Sequence, residues 1–188
     1  MTRQRSNRKF AEAMNQSLAL VAAMFVIVLL DSWLPLHLTR FGIVPRTASG
    51  LWGILCGPLL HANMGHFAAN AVPLLVLLLL LTGNPRYRPG ATLTWIWLGS
   101  GLGTWLIGRG PAVHLGASSL IFGLAAFLIV AGWQLRTWSS VAVALFVAIG
   151  FGGLFYGVLP RNGPISWEGH LCGMVAGILT ARHNLRSR

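Results

Sequence analysis

Six apolar stretches run along this chain, each close to the roughly 17–25 residues that a helix needs to cross a bilayer. They cover about residues 17–36, 65–81, 91–108, 116–133, 138–159 and 167–183. Turn formers punctuate them at Asn84-Pro85, Pro89-Gly90, Gly110-Pro111 and Gly163-Pro164. A water-soluble chain could not hide this much apolar surface: 55% of the residues are hydrophobic and 9% charged, where an average soluble domain is about 25% charged. The expected fold is therefore all-α, a polytopic membrane protein built as a six-transmembrane-helix bundle. Residues 1–16 read as a basic cytoplasmic segment, 17–183 as the membrane domain and 184–188 as a short basic cytoplasmic tail.

Residues 38–60 break the pattern. They hold Gly42, Pro45, Gly50, Gly53, Gly57 and Pro58 around Trp52, too broken for a span. An interfacial or partly inserted loop fits best, and irregular backbone at that depth must be covered by protein or water.

The net charge is +11, from fourteen Lys and Arg against Glu12, Asp31 and Glu168. The basic residues flank the apolar stretches, as anchors at a membrane surface do. Nucleic-acid binding is not expected, because basic clustering without a folded reader is non-specific. Cys56 and Cys172 form no metal or disulfide pattern. The first apolar stretch contains Asp31 and lacks a small-residue cleavage signal, so it reads as a retained span.

With the N-terminus inside, ten Lys and Arg fall on inner segments; the outer ones hold Arg40, Arg46, Arg109 and Arg161. The bias predicts both termini inside. Spans two, four and six then all begin on the outer side. Each opens with a polar motif: His61-Ala-Asn-Met-Gly-His66-Phe-Ala-Ala-Asn70, Gly116-Ala-Ser118-Ser119, and Gly169-His170-Leu-Cys-Gly173-Met-Val-Ala-Gly177. Spans with chance polar residues would not be expected to agree in depth and side. Polar and ionisable groups inside a membrane are costly and mark function by default.

Each motif also has a bland reading: a helix cap, a small-residue packing face, an interhelical hydrogen bond. Together they supply the parts of a serine hydrolase. A serine opening a helix has backbone N–H groups beside it that can hold a developing oxyanion. Gly169, Gly173 and Gly177 make a smooth face that lets His170 approach a neighbouring helix, as a general base must. His66 and Asn70 lie four apart on one helix face and can both point donors at one spot. His61 falls in the loop before that helix and reads as a structural part. Metal ligation fits poorly, with no His-Glu-x-x-His pattern and scattered acids. Glu168 sits about 200° around the helix from His170, so it does not serve as a third triad member. A Ser–His dyad is the simpler reading.

These motifs, in this order and at the heads of spans two, four and six, resemble the rhomboid family of intramembrane serine proteases. The resemblance covers about residues 52–181, and the six-span layout extends it to the whole chain. It implies Ser118 as nucleophile and His170 as base, with His66, Asn70 and the Ser118 backbone N–H forming the oxyanion hole. It also implies that residues 38–60 are the family's embedded first loop and that the fifth span is a mobile gate for substrate. Ser119 stands where many members have glycine, and the spacing from Gly116 favours Ser118. Phe122 stands where tyrosine is common; it can still stack on His170 but cannot donate a hydrogen bond. Trp52 is followed by Gly53 where the family often has arginine.

The expected activity is an endopeptidase that cuts transmembrane segments of other membrane proteins in or near the outer leaflet, with no cofactor and no metal. Single-span or other transmembrane proteins are the expected partners, in a bacterial plasma membrane. The alternatives are a catalytically silent relative that binds transmembrane helices, and a transporter or channel subunit. The second would call for an internal repeat and polar groups through the full bilayer depth.

Overall fold

The computed structural model describes residues 2–34, 36–110, 112–163 and 165–186, without the side chains of 2–7, 9 and 186. Pro35, Pro111, Pro164 and the last two residues of the expected basic tail therefore lie outside the described residues. Seven α-helices follow in order among the described residues: α1 Thr2–Trp33, α2 Gly50–Cys56, α3 Met64–Thr82, α4 Pro89–Ile107, α5 Ser118–Leu135, α6 Trp138–Phe151 and α7 Trp167–Arg186. Among the described residues strand pairing is confined to one isolated bridge, Ile43 with His114. The fold is all-helical, as expected.

Apolarity alone carries four spans rather than six among the described residues: Phe10–Trp33, Met64–Thr82, Ser118–Leu135 and Trp138–Val158. The third and sixth expected stretches are helical too, as α4 and α7. They are less apolar because they pack on each other and on α5 and carry polar groups into those contacts. Thr92, Ser100 and Thr104 of α4 and Glu168, Thr180 and Asn184 of α7 are all buried. Asn184 donates to the Thr92 hydroxyl at 3.0 Å.

Other boundaries also differ. α1 begins at Thr2, well before residue 17. The fifth stretch leaves the α-helix at Gly152 and continues as a 3₁₀ segment, Gly152–Val158. The fourth begins at Ser118, with Gly116 left outside the helix in a left-handed conformation, φ +107°.

α5 forms the centre, contacted by α3, α4, α6 and α7. Leu120, Leu124, Phe127 and Leu128 expose no surface at all. In a bilayer, helices associate through close packing and interhelical hydrogen bonds, since lipid is as apolar as leucine. The glycines of α7 provide that close packing. A Cβ on Gly173 would fall on the Ser119 carbonyl, and one on Gly177 on the Gly123 carbonyl.

The broken segment after α1 is well held. Ile43 and His114 exchange two backbone hydrogen bonds of 2.8 Å. The Trp97 and Trp105 indoles of α4 donate to the Ile54 and Thr47 carbonyls at 3.1 and 2.9 Å. Irregular backbone is thus satisfied by protein on the α4 side, as an apolar setting demands.

Candidate active site

The helix starts of α3, α5 and α7 converge, which brings the three polar motifs together. Ser118 is the first residue of α5, so its N–H has no intrahelical acceptor. Four residues into α7, His170 places Nε2 3.0 Å from Ser118 Oγ. On the other side of its ring Nδ1 lies 3.0 Å from the Gly157 carbonyl oxygen. A carbonyl can only accept, so Nδ1 carries the proton and Nε2 is left free to accept from the Ser118 hydroxyl. That is the tautomer a general base requires.

Phe122, one turn after Ser118, stacks on the imidazole with ring planes 9° apart and centroids 4.2 Å apart. Gly157 closes the other edge of this pair. A Cβ there would come within 2.6 Å of Phe122 Cζ and 3.1 Å of His170 Nδ1.

His66 reaches the site from α3. The Asn63 side chain caps that helix by accepting from the His66 N–H at 2.8 Å. The imidazole lies against Gly116, where an added Cβ would come within 2.7 Å of His66 Cε1. Gly116 is thus required twice, for its left-handed backbone and for the histidine beside it. Asn70 is buried and donates one amide hydrogen to the His66 carbonyl at 2.7 Å; among the described residues its second N–H has no partner.

His61 supports the start of α5. Its Nε2 accepts from the Ala117 N–H at 3.4 Å, and its ring meets His66 and Phe67 edge-on at 5.2 and 5.6 Å. Burial, with His66 beside it, lowers the His61 pKa to about 4, so the ring stays neutral and remains an acceptor.

Glu168 turns away from His170, as the helix geometry required. It is buried and pairs with Arg109 at 2.7 Å. Cys56 and Cys172 are both free thiols. Ser118 and Ser119 line a narrow cleft with Thr104, His114, Ser166 and Gly169.

Residues 48–187 match the family model for the rhomboid domain. The chain belongs to the rhomboid family. Relatives of this rhomboid include an uncharacterized protein of Mycobacterium tuberculosis, 44% identical over 174 residues, covering 87% of this chain and 72% of the relative. An uncharacterized protein of Mycobacterium leprae is 40% identical over the same length, with 87% and 68% covered. With its apolar helices, this rhomboid is an integral membrane protein.

Two features of the rhomboid site had no signal in the sequence. Gly157 acts through its backbone carbonyl, and no residue pattern announces which carbonyl a histidine will meet. Arg109 counts in the sequence only as a topology charge, yet it donates to the Arg161 and Ile165 carbonyls at 2.9 and 2.7 Å and forms an ion pair with Glu168.

Proposed function

We propose that this rhomboid is an intramembrane serine endopeptidase that cuts transmembrane segments of other membrane proteins. The observation that carries the reading is the Ser118–His170 contact of 3.0 Å, with Nδ1 already engaged by Gly157. His170 Nε2 takes the Ser118 proton as Oγ attacks the scissile carbonyl. The Ser118 N–H at the start of α5, the His66 imidazole and the free N–H of Asn70 are the donors for the resulting oxyanion. His170 returns the proton to the leaving amine. Water then adds to the acyl-enzyme with the same histidine as base, and Ser118 is regenerated.

A substrate helix must unwind locally to offer its backbone, because an intact helix keeps its carbonyls bonded. Helix-weakening Gly or Pro near the cut favours cleavage. The segment Trp138–Val158 suits the role of a gate, as only 6% of its most apolar window is buried. The Lys and Arg bias supports termini in the cytoplasm and a site opening outward from a bacterial plasma membrane.

The test is reconstitution of wild type, Ser118→Ala and Ser119→Ala with a single-span substrate. Wild type and Ser119→Ala cleave, and Ser118→Ala does not. Cleavage that survives Ser118→Ala, or an inert wild type across lipids and substrates, sinks the reading.

A further inference from the structure

The Gly157 carbonyl can hold the His170 tautomer only if the 3₁₀ segment carrying it is itself held. That segment follows the weakly buried α6, and what fixes it comes from elsewhere. Arg109, in the loop after α4, spreads its guanidinium over the connection between this segment and α7. Nη1 donates to the Arg161 carbonyl at 2.9 Å, and Nη2 to the carbonyls of Ile165 at 2.7 Å and Gly163 at 3.4 Å. Nε faces the buried Glu168 carboxylate at 2.7 Å. Arg161 in turn donates from Nη2 to the Tyr156 carbonyl at 2.6 Å, one residue before Gly157.

A second route runs from the same residue's backbone. The Arg109 carbonyl accepts from His114 Nε2–H at 3.0 Å. That assigns His114 Nδ1 as acceptor of the Ser166 hydroxyl. Ser166 Oγ then accepts from the Gly169 N–H at 3.2 Å, immediately before His170. The circuit closes on α7 at both ends: Glu168 and Gly169 on one side, His170 through Gly157 on the other.

We infer that Arg109 is a positioning residue for His170, keeping residues 156–163 and Ile165 where the Gly157 carbonyl holds the proton on Nδ1. The planar guanidinium is suited to this, since it offers several donors in fixed directions to separate carbonyls. A lysine offers one compact charge and cannot span them. The consequence for rate rests on the protease reading; the tautomer does not.

The experiment uses the full chain in lipid nanodiscs with ¹⁵N-histidine, the His170 signals being assigned by loss in His170→Gln. Wild type gives one tautomer, protonated at Nδ1. In Arg109→Gln the His170 signals become a tautomer mixture, and kcat falls on the order of 100-fold, the scale of a small displacement of a reacting group. KM changes by less than about twofold, because ground-state substrate contacts are untouched. Arg109→Lys rescues the fold but recovers only part of kcat. Arg161→Ala keeps the backbone carbonyl that Arg109 binds and loses the Tyr156 bond; it shifts the tautomer in the same direction and decides the matter if Arg109→Gln does not fold. Lower thermal stability with one unchanged tautomer and wild-type kcat makes Arg109 a purely structural residue and overturns the inference. An inert wild type whose tautomer still responds to Arg109→Gln removes the protease reading and leaves the positioning intact.

Discussion

Phe122 and His170 lie face to face, centroids 4.2 Å apart and planes 9° from parallel. The stack fixes the imidazole's plane, while Gly157 fixes its rotation within that plane. Phe122→Leu keeps most of the buried volume but removes the flat surface. It is expected to cost about 1 kcal/mol of stability, and to lower kcat by more than that loss of folded protein explains. Single-turnover cleavage beside a thermal melt checks it; unchanged turnover would mean that the stack only fills space.

Gly157→Ala tests the edge of the same pair. Its methyl would sit 2.6 Å from Phe122 Cζ and 3.1 Å from His170 Nδ1. One of the three groups must move, at a cost of about 1–3 kcal/mol for overpacking. The expected outcome is a folded protein with kcat reduced about 10- to 100-fold, read in the same cleavage assay. Wild-type turnover would show that the carbonyl is not needed where it stands.

Gly173→Ala probes the approach of α7 to α5. A Cβ there falls on the Ser119 carbonyl, on backbone that cannot swing aside. The helices must separate, so the variant is expected to lose about 1–3 kcal/mol or more of stability and its cleavage activity together. Circular dichroism melts in one detergent, compared with an alanine at exposed Val175, provide the measure.

His61 gives a pH prediction. Its pKa is lowered from 6.5 to about 4 by burial, so the unfolded chain binds more protons than the folded one between those values. Stability from this residue is full above about pH 6.5 and is lost as pH falls toward 4, with a slope of at most about 1.4 kcal/mol per pH unit. His61→Gln is expected to flatten that part of the stability–pH curve, measured by denaturant midpoints from pH 4 to 7. A slope identical to wild type would place the effect on another group.

Much of the candidate site was legible in the sequence. The polar motifs stood out because polar groups in apolar helices are costly, and the i, i+4 glycines announced a close helix contact. The helix geometry that turned Glu168 away from His170 follows from 3.6 residues per turn alone. The span count was less legible. α4 and α7 face protein on several sides and carry buried polar residues, so apolarity alone does not carry them as spans. The change from α to 3₁₀ at Gly152 was also hidden, because the apolar pattern continues through it.

Local chemistry along the chain determined which segments are helical and apolar, which helix starts are polar, and which side chains could supply a hydroxyl, an imidazole and hydrogen-bond donors. Those are properties of composition, spacing and helix period. The tertiary structure decided which of these groups meet and in what protonation geometry. It set His170 Nε2 on Ser118 by bringing α7 onto α5 through glycine, and it chose the Gly157 carbonyl and the Arg109 guanidinium as partners. Backbone carbonyls are chemically alike at every residue, so only the packing of distant segments selects the one that a histidine or an arginine will find.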